Sequence, residues 1–348
     1  MRTAHGEFIA TRQAGRRWYA DRVIATRATL AKVTAARLVQ RRATRYRSDE
    51  HAVALLELSP SDRASTIALY DTLARLSRLL AARSAARGEE ILRAFAASVD
   101  TADLVQSTRQ LGGGDQDERV SQALHDIRGG TLSACLILIG RVSIGKTSAA
   151  ADELAYMTRD HLKIMRNVIV DLDVAGRQHD LQRAPHSLDK LLTALPAYAA
   201  TVNGEALVVK VDIDVDGAPA PPIVIAETCT ELGAVDRVAY NLLGNAARFA
   251  AEPVVDVWVT VLAADLRVAV TNLVSADQQR AVRAALAEDR SALFGGFTTG
   301  GTGLGLRIAA DLVGRAYGVP HEMLPDDGYV GAKLVGRTFV SWFHWPLA

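Results

Sequence analysis

The sequence predicts a multidomain protein with an all-α N-terminal half and a C-terminal half in which helices lie on a mixed α+β sheet. Three observations predict this. A helical stripe of Leu154, Met157, His161, Ile164, Met165, Val168 and Leu172 recurs at 3–4 spacing. From about residue 206 the period shortens to that of strands, as in 207–215. The chain has 348 residues, enough for two or three domains of about 150 residues each.

The N-terminal residues 1–47 carry twelve basic side chains against only Glu7 and Asp21. Phe8, Trp18, Val23, Leu30, Val33 and Leu38 recur there at loosely helical spacing, which predicts a basic amphipathic helix. Such a helix is either the solvated face of a bundle or a surface for an anionic partner, whether lipid, nucleic acid or acidic protein. Ser59, Pro60 and Asp62 form a helix start, with a cap, a proline at the first position and an acid in the first turn. The stripe Ile67, Leu69, Leu73, Leu76, Leu80 follows, with Gly88 as its end, and another helix covers 89–111. Gly112, Gly113 and Gly114 would together cost a helix roughly 3 kcal/mol, so they mark a hinge. Two helical stretches, 117–142 and 154–172, then form a hairpin with an apolar seam. Strands are predicted at 206–215, 254–262, 266–270 and 338–345, with a hairpin turn at 263–265. Helices at 231–249 and 304–314 lie between them.

The composition is 49% hydrophobic and 23% charged with a net charge of +1, which excludes wholesale disorder and a globally basic coat protein. The longest apolar run, 134–140, is far short of the ~20 residues that span a bilayer. Two cysteines, Cys135 and Cys229, are too few for a disulfide framework and fit a reducing, cytoplasmic setting.

Three segments carry chemistry. Gly301-Thr302-Gly303-Leu304-Gly305 precedes a helix, and glycines there let backbone N–H groups and the helix N-terminus approach phosphates. Asn241, Asn245 and Arg248 fall at i, i+4 and i+7 on one face of a helix that is otherwise largely apolar. An amide oxygen suits Mg²⁺, and a guanidinium suits phosphate. His125 is followed by Asp126 and Arg128 on the first hairpin helix.

In this order and spacing the segments resemble a bacterial two-component sensor histidine kinase over about residues 115–348. His125-Asp126-Ile127-Arg128 is similar to the family's phospho-acceptor box. Asn241-Leu242-Leu243-Gly244-Asn245-Ala246-Ala247-Arg248 is similar to its asparagine box. Phe294-Gly295-Gly296-Phe297-Thr298-Thr299 resembles its phenylalanine box, and Gly301 to Gly305 its second glycine box.

The resemblance implies a helical input region over 1–111 and a dimerisation and phosphotransfer hairpin over 115–180 that pairs into a four-helix bundle. It further implies a Bergerat-type ATP-binding domain over 185–348. It implies ATP and Mg²⁺ as cofactors, a homodimer, and a response-regulator receiver as partner. Asn245 would hold the metal, and Asn241 and Arg248 would approach the triphosphate. Residues 275–300, with Thr298 and Thr299, would form a lid over the nucleotide. His125 would attack the γ-phosphate with Asp126 as orienter and base. Asn272 stands where the family's first glycine box has an adenine-reading Asp.

Two other readings stay open. One is a phosphotransfer scaffold whose ATP domain is degenerate and does not hydrolyse ATP. The other is a P-loop NTPase, because residues 140–147, with Gly140, Gly145, Lys146 and Thr147, match G-x-x-x-x-G-K-T. The helical stripe running through Val168 argues against the second, since it leaves no room for the metal-binding strand of such enzymes.

Overall fold

The structure is a computed structural model. It describes residues 27–36, 42–43, 46, 52–81, 88–99, 104, 106, 108, 110–112, 117–128, 132, 139, 150–195, 201–202, 205–206, 208–215, 222–288, 292–294 and 305–348.

The helical half is built on α2 (Pro60–Ala81), α3 (Gly88–Ser98), α4 (Glu118–Arg128) and α5 (Ala150–Val168). The Ser59 hydroxyl caps α2 by accepting from the Asp62 N–H at 3.1 Å. The Asp62 carboxylate in turn accepts from the Gly112 N–H at 2.9 Å. Gly112 has φ +72°, a left-handed conformation that a glycine adopts without steric cost, so the predicted break begins there. Gly88, expected to end the helix, is itself helical as part of α3, and α2 is described to Ala81.

On α4, Val120, Ala123, Leu124 and Ile127 make a buried stripe that packs against Leu162, Met165 and Val168 of α5. Leu69, Tyr70 and Leu73 of α2, with Leu104 and Leu111, cover this seam from within the same chain. α5 ends four residues before Leu172. Val53 forms a parallel bridge with Ile169; its N–H donates to the Val168 carbonyl at 2.9 Å, and its carbonyl accepts from the Val170 N–H at 3.0 Å. Asp173 then caps α6 (Val174–Asp180) by accepting from the Gly176 N–H at 2.9 Å.

The second half contains a mixed five-stranded sheet, order β4-β6-β7-β9-β8. Its strands are β4 (Val208–Val215), β6 (Val254–Val261), β7 (Asp265–Leu273), β8 (Val330–Val335) and β9 (Thr338–Pro346). β4 runs parallel to β6, and the other neighbours are antiparallel. β1 (Arg183–Ser187) pairs with β5 (Val224–Thr228), and β2 (Thr201–Val202) with β3 (Glu205–Ala206). Strands β1, β5 and β8 were not expected from the sequence: they are short and lack a clean period-two pattern.

Val255, Val257, Val259 and Val261 of β6 and Leu266, Val268 and Val270 of β7 point to one face. They meet Val235, Val238, Leu242 and Leu243 of α8 (Cys229–Phe249) and Ile308, Leu312 and Val313 of α10 (Gly305–Tyr317). α7 (Leu188–Ala194) adds Leu188 and Leu191 to this core. The segment expected as a lid contains a helix, α9 (Ala276–Glu288). The short α11 (Leu324–Asp327) precedes β8.

The opposite face of the sheet is covered by the N-terminal segment, not left to solvent. Leu30 and Val33 of α1 (Arg27–Val33) pack on Trp258, Ala269, Val340 and Trp342. The His344 ring lies 2.7 Å from the Thr34 carbonyl and 2.5 Å from the Asp265 carboxylate, so both ring nitrogens face acceptors. Further on, the Ala43 N–H bonds the Ala316 carbonyl at 2.9 Å, and Arg42 pairs with buried Glu231 at 2.7 Å. Thus residues 27–36, 42 and 43, expected within a helical input region, lie against the sheet half, while residues 52–81 join the helices. The Arg42 charge is engaged inside the molecule and is not offered to an anionic partner. Gly331 has a steric reason: a Cβ there would lie 2.0 Å from the Trp342 ring.

Candidate functional site

Helix α8 starts at a capped end, where the Thr228 hydroxyl accepts from the Glu231 N–H at 3.1 Å. Its apolar side is buried in the core, which leaves Asn241 and Asn245 half-buried and Arg248 exposed. The first residue of α10, Gly305, comes against this face. A Cβ placed on it would lie 3.4 Å from the Asn245 Nδ2 and 3.8 Å from the Asn241 Oδ1. The asparagine helix and the helix opened by the glycine-rich segment therefore meet, although they are 60 residues apart in sequence between Asn245 and Gly305.

Asn272 lies near the end of β7, on the register position facing Phe339 of β9. It is 4% exposed, its Nδ2 donates to the Leu273 carbonyl at 3.3 Å, and its Oδ1 has no partner. Alternation along β7 puts it on the same face as Val268 and Val270, beneath α8. A buried acceptor without a donor is costly, and an incoming amino group would satisfy it. These groups suit a nucleotide: an acceptor for the base, two amides, and a helix start for the phosphates. Asn245 alone suits Mg²⁺, which takes one or two protein ligands and fills its shell with water and phosphate.

Thr298, Thr299, Gly301, Thr302, Gly303 and Leu304 lie outside the described residues, as do residues 140–147 of the P-loop-like match.

His125 is on α4 with its side chain 17% exposed and its Nδ1 3.8 Å from the Asp126 carboxylate. Asp126 is buried and pairs with Arg237 of α8. Burial works to raise the Asp126 carboxyl pKa, but the Arg237 guanidinium and His125 outweigh it and hold it below the usual range. The other histidine of the hairpin, His161, is fully buried. Desolvation drives its ring down to about 3, the Arg237 charge adds to this, and the Ile127 backbone opposes it.

Around this pair the two halves of the protein are joined by buried polar groups. Asp160 of α5 faces Asp236 of α8, and burial pushes the Asp160 carboxyl up against the influence of Lys163 and Asp236. Arg166 pairs with Asp180 at 2.6 Å. At the far end of α4, Glu118 pairs with Arg307 in the first turn of α10. Sequence reading missed Arg237, Asp236, Asp160 and Arg307. None carries a local signal, because the partners are distant in sequence.

No family model matches the chain, and no curated protein sequence does. Among solved structures, the nucleotide-free catalytic domain of the histidine kinase ThkA matches 47% of this chain and 97% of its own at 15% identity and TM-score 0.30. Full-length ShkA in complex with AMPPNP matches 76% of this chain and 46% of its own at 18% identity and TM-score 0.30. The Acinetobacter baumannii histidine kinase AdeS matches 62% of this chain and 95% of its own at 13% identity and TM-score 0.29.

Proposed function

We propose that this chain is an ATP-dependent protein-histidine kinase that phosphorylates His125 and passes the phosphoryl group to an aspartate of a receiver domain. The observation that carries the reading is the meeting of the Asn241–Asn245 face with the start of α10 at Gly305. The helices of Asn245 and Gly305 pack together, and the helix of His125 is linked to them by the Asp126–Arg237 and Glu118–Arg307 ion pairs.

In this reading the unpartnered Oδ1 of Asn272 accepts from the adenine amino group. Asn241 and the first turn of α10 hold the phosphate oxygens, with Arg248 at the rim. Asn245 would hold Mg²⁺, which would supply charge neutralisation at the phosphates. A neutral ring nitrogen of His125 attacks the γ-phosphorus, and the bond from that phosphorus to the bridging oxygen of ADP breaks. The His125 ring proton passes to Asp126 or to water. Homodimerisation and a receiver partner belong to the same reading. Light scattering of the purified chain tests the first, and transfer of label to an added receiver domain tests the second. No helix among the described residues is long and apolar enough to cross a membrane.

Incubation with γ-labelled ATP tests the function. The expected label is acid-labile and base-stable, as phosphohistidine is; an acid-stable label, or none, counts against the reading. Nucleotide binding without label would favour the phosphotransfer scaffold.

Asn245→Ala is expected to weaken ATP binding more than tenfold in Mg²⁺ and little in its absence, measured by calorimetric titration. Asn272→Asp exchanges a neutral acceptor for a charged one. Charge-assisted hydrogen bonds are about twice as strong, so ATP affinity is expected to rise severalfold, about 1 kcal/mol, with sharper discrimination against GTP. Unchanged affinity would place the base elsewhere.

A further inference from the structure

A buried ring ties the N-terminal segment to the face of the sheet opposite α8 and α10. His344 of β9 is 2% exposed. Its Nδ1 lies 2.5 Å from an Asp265 carboxylate oxygen, and its Nε2 lies 2.7 Å from the carbonyl of Thr34, a fully buried residue. A carboxylate and a carbonyl are acceptors only. The ring serves both only when each nitrogen carries a hydrogen, which is the charged imidazolium. Thr34 directly follows α1, and the open carbonyls at a helix end favour a cation. The docking is close: a Cβ on Gly328 would lie 2.7 Å from the carbonyl of Ala35, the next residue of the segment. Beside this contact Leu30 and Val33 cover Trp258 and Trp342.

The groups around the ring set its charge. Asp265 favours the imidazolium, and Arg267, the register partner of His344 on β7, opposes it. Beyond Arg267 in the same row come the uncharged Thr260 of β6 and then Asp214 of β4. The Tyr329 ring stands edge-on at 5.4 Å, with the Tyr317 ring behind it at 4.6 Å. Burial pushes the Tyr317 hydroxyl well up, so it stays neutral. Lys32 of α1 is exposed.

We propose that Asp265, His344 and the Thr34 carbonyl form a pH-sensitive clamp, and that loss of one ring proton to water releases α1 from the sheet. Asp265 keeps the hydrogen on Nδ1, so Nε2 gives up its own. The Thr34 carbonyl then faces a lone pair, and a buried acceptor without a donor is costly. Because the docked segment needs the protonated ring, docking is complete at low pH and weakens as the pH rises through the titration of His344. Release uncovers Trp258, Ala269, Val340 and Trp342. The clamp stands apart from the kinase reading, since none of its residues is in the nucleotide site.

Hydrogen exchange of the full chain, read by mass spectrometry on peptides covering 27–36 and corrected for the intrinsic pH dependence of amide exchange, tests the clamp. Between about pH 5 and about pH 9, around the range in which histidine titrates, opening of this segment is expected to increase about tenfold or more, with β6 and β7 unchanged. Asp265→Asn removes the charge that favours the imidazolium, so the increase should set in at lower pH, a displacement that a merely structural role would not produce. His344→Gln cannot change charge and should abolish the increase. A flat profile in the wild type, an undisplaced one in Asp265→Asn, or an unaltered increase in His344→Gln overturns the proposal. Should His344→Gln fail to fold, the ring ¹⁵N shifts of the wild type decide: a neutral His344 in the docked segment overturns it.

Discussion

Replacing His125 with alanine is expected to abolish phosphoryl incorporation from ATP while leaving nucleotide affinity unchanged. The reason is spatial. His125 is on α4 in the helical half, whereas Asn241, Asn245, Asn272 and Gly305 are all in the sheet half, so removing the imidazole takes nothing from the nucleotide. The histidine best placed to substitute is His161 on the adjacent helix. It is fully buried with a ring pKa near 3, so it has no path to a phosphate without local unfolding. His125 keeps a partly exposed ring beside a carboxylate. Mass-spectrometric mapping of the labelled wild type and of His125→Ala checks this. Label persisting on another histidine would sink the assignment.

The second large effect is on stability. Arg237→Ala strands the Asp126 carboxylate in a buried interface, and breaking a buried pair from one side costs about 3–5 kcal/mol. Urea denaturation should show it. Asp126→Asn made alongside Arg237→Ala should cost less than the two singles added, because the uncompensated charge is then gone.

The pH dependence has a definite sign. The folded Asp126 pKa is depressed below its ordinary value of 3.8. Its contribution to stability is therefore present in full above that value and is lost as the pH falls through the folded value. Arg237→Ala removes the main cause of the depression. The variant should lose less stability between neutral and acid pH than the wild type does.

Much of the site was legible in the sequence because it is written in local spacing. Asn241 and Asn245 at i and i+4 share a helix face in any helix, and the apolar residues around them decide which face stays free. Ser59 and Pro60 announced the start of α2, and Gly112 the end of a helical turn. The alternation in 254–262 and 266–270 predicted two strands and the turn between them. Gly88 was misread for the same reason in reverse: a glycine flanked by helical sequence on both sides has no local mark telling an end from a beginning.

What the sequence alone determined is therefore the set of elements whose hydrogen bonds close within a few residues, and the chemistry carried on their faces. Tertiary structure alone decided which distant surfaces meet. The Asp126–Arg237 pair joins residues 111 apart, the Thr34–His344 contact residues 310 apart, and the Val53–Ile169 bridge ends a helix whose apolar stripe runs on to Leu172. Residues 1–47 read as a basic helix by their own composition, yet the part at 27–36 covers the sheet because Trp258 and Trp342 present apolar area that Leu30 and Val33 remove from water. Burial of that kind is non-directional and depends on which surfaces the rest of the fold leaves open, so the apolar stripe that holds Leu30 and Val33 does not say which surface it covers.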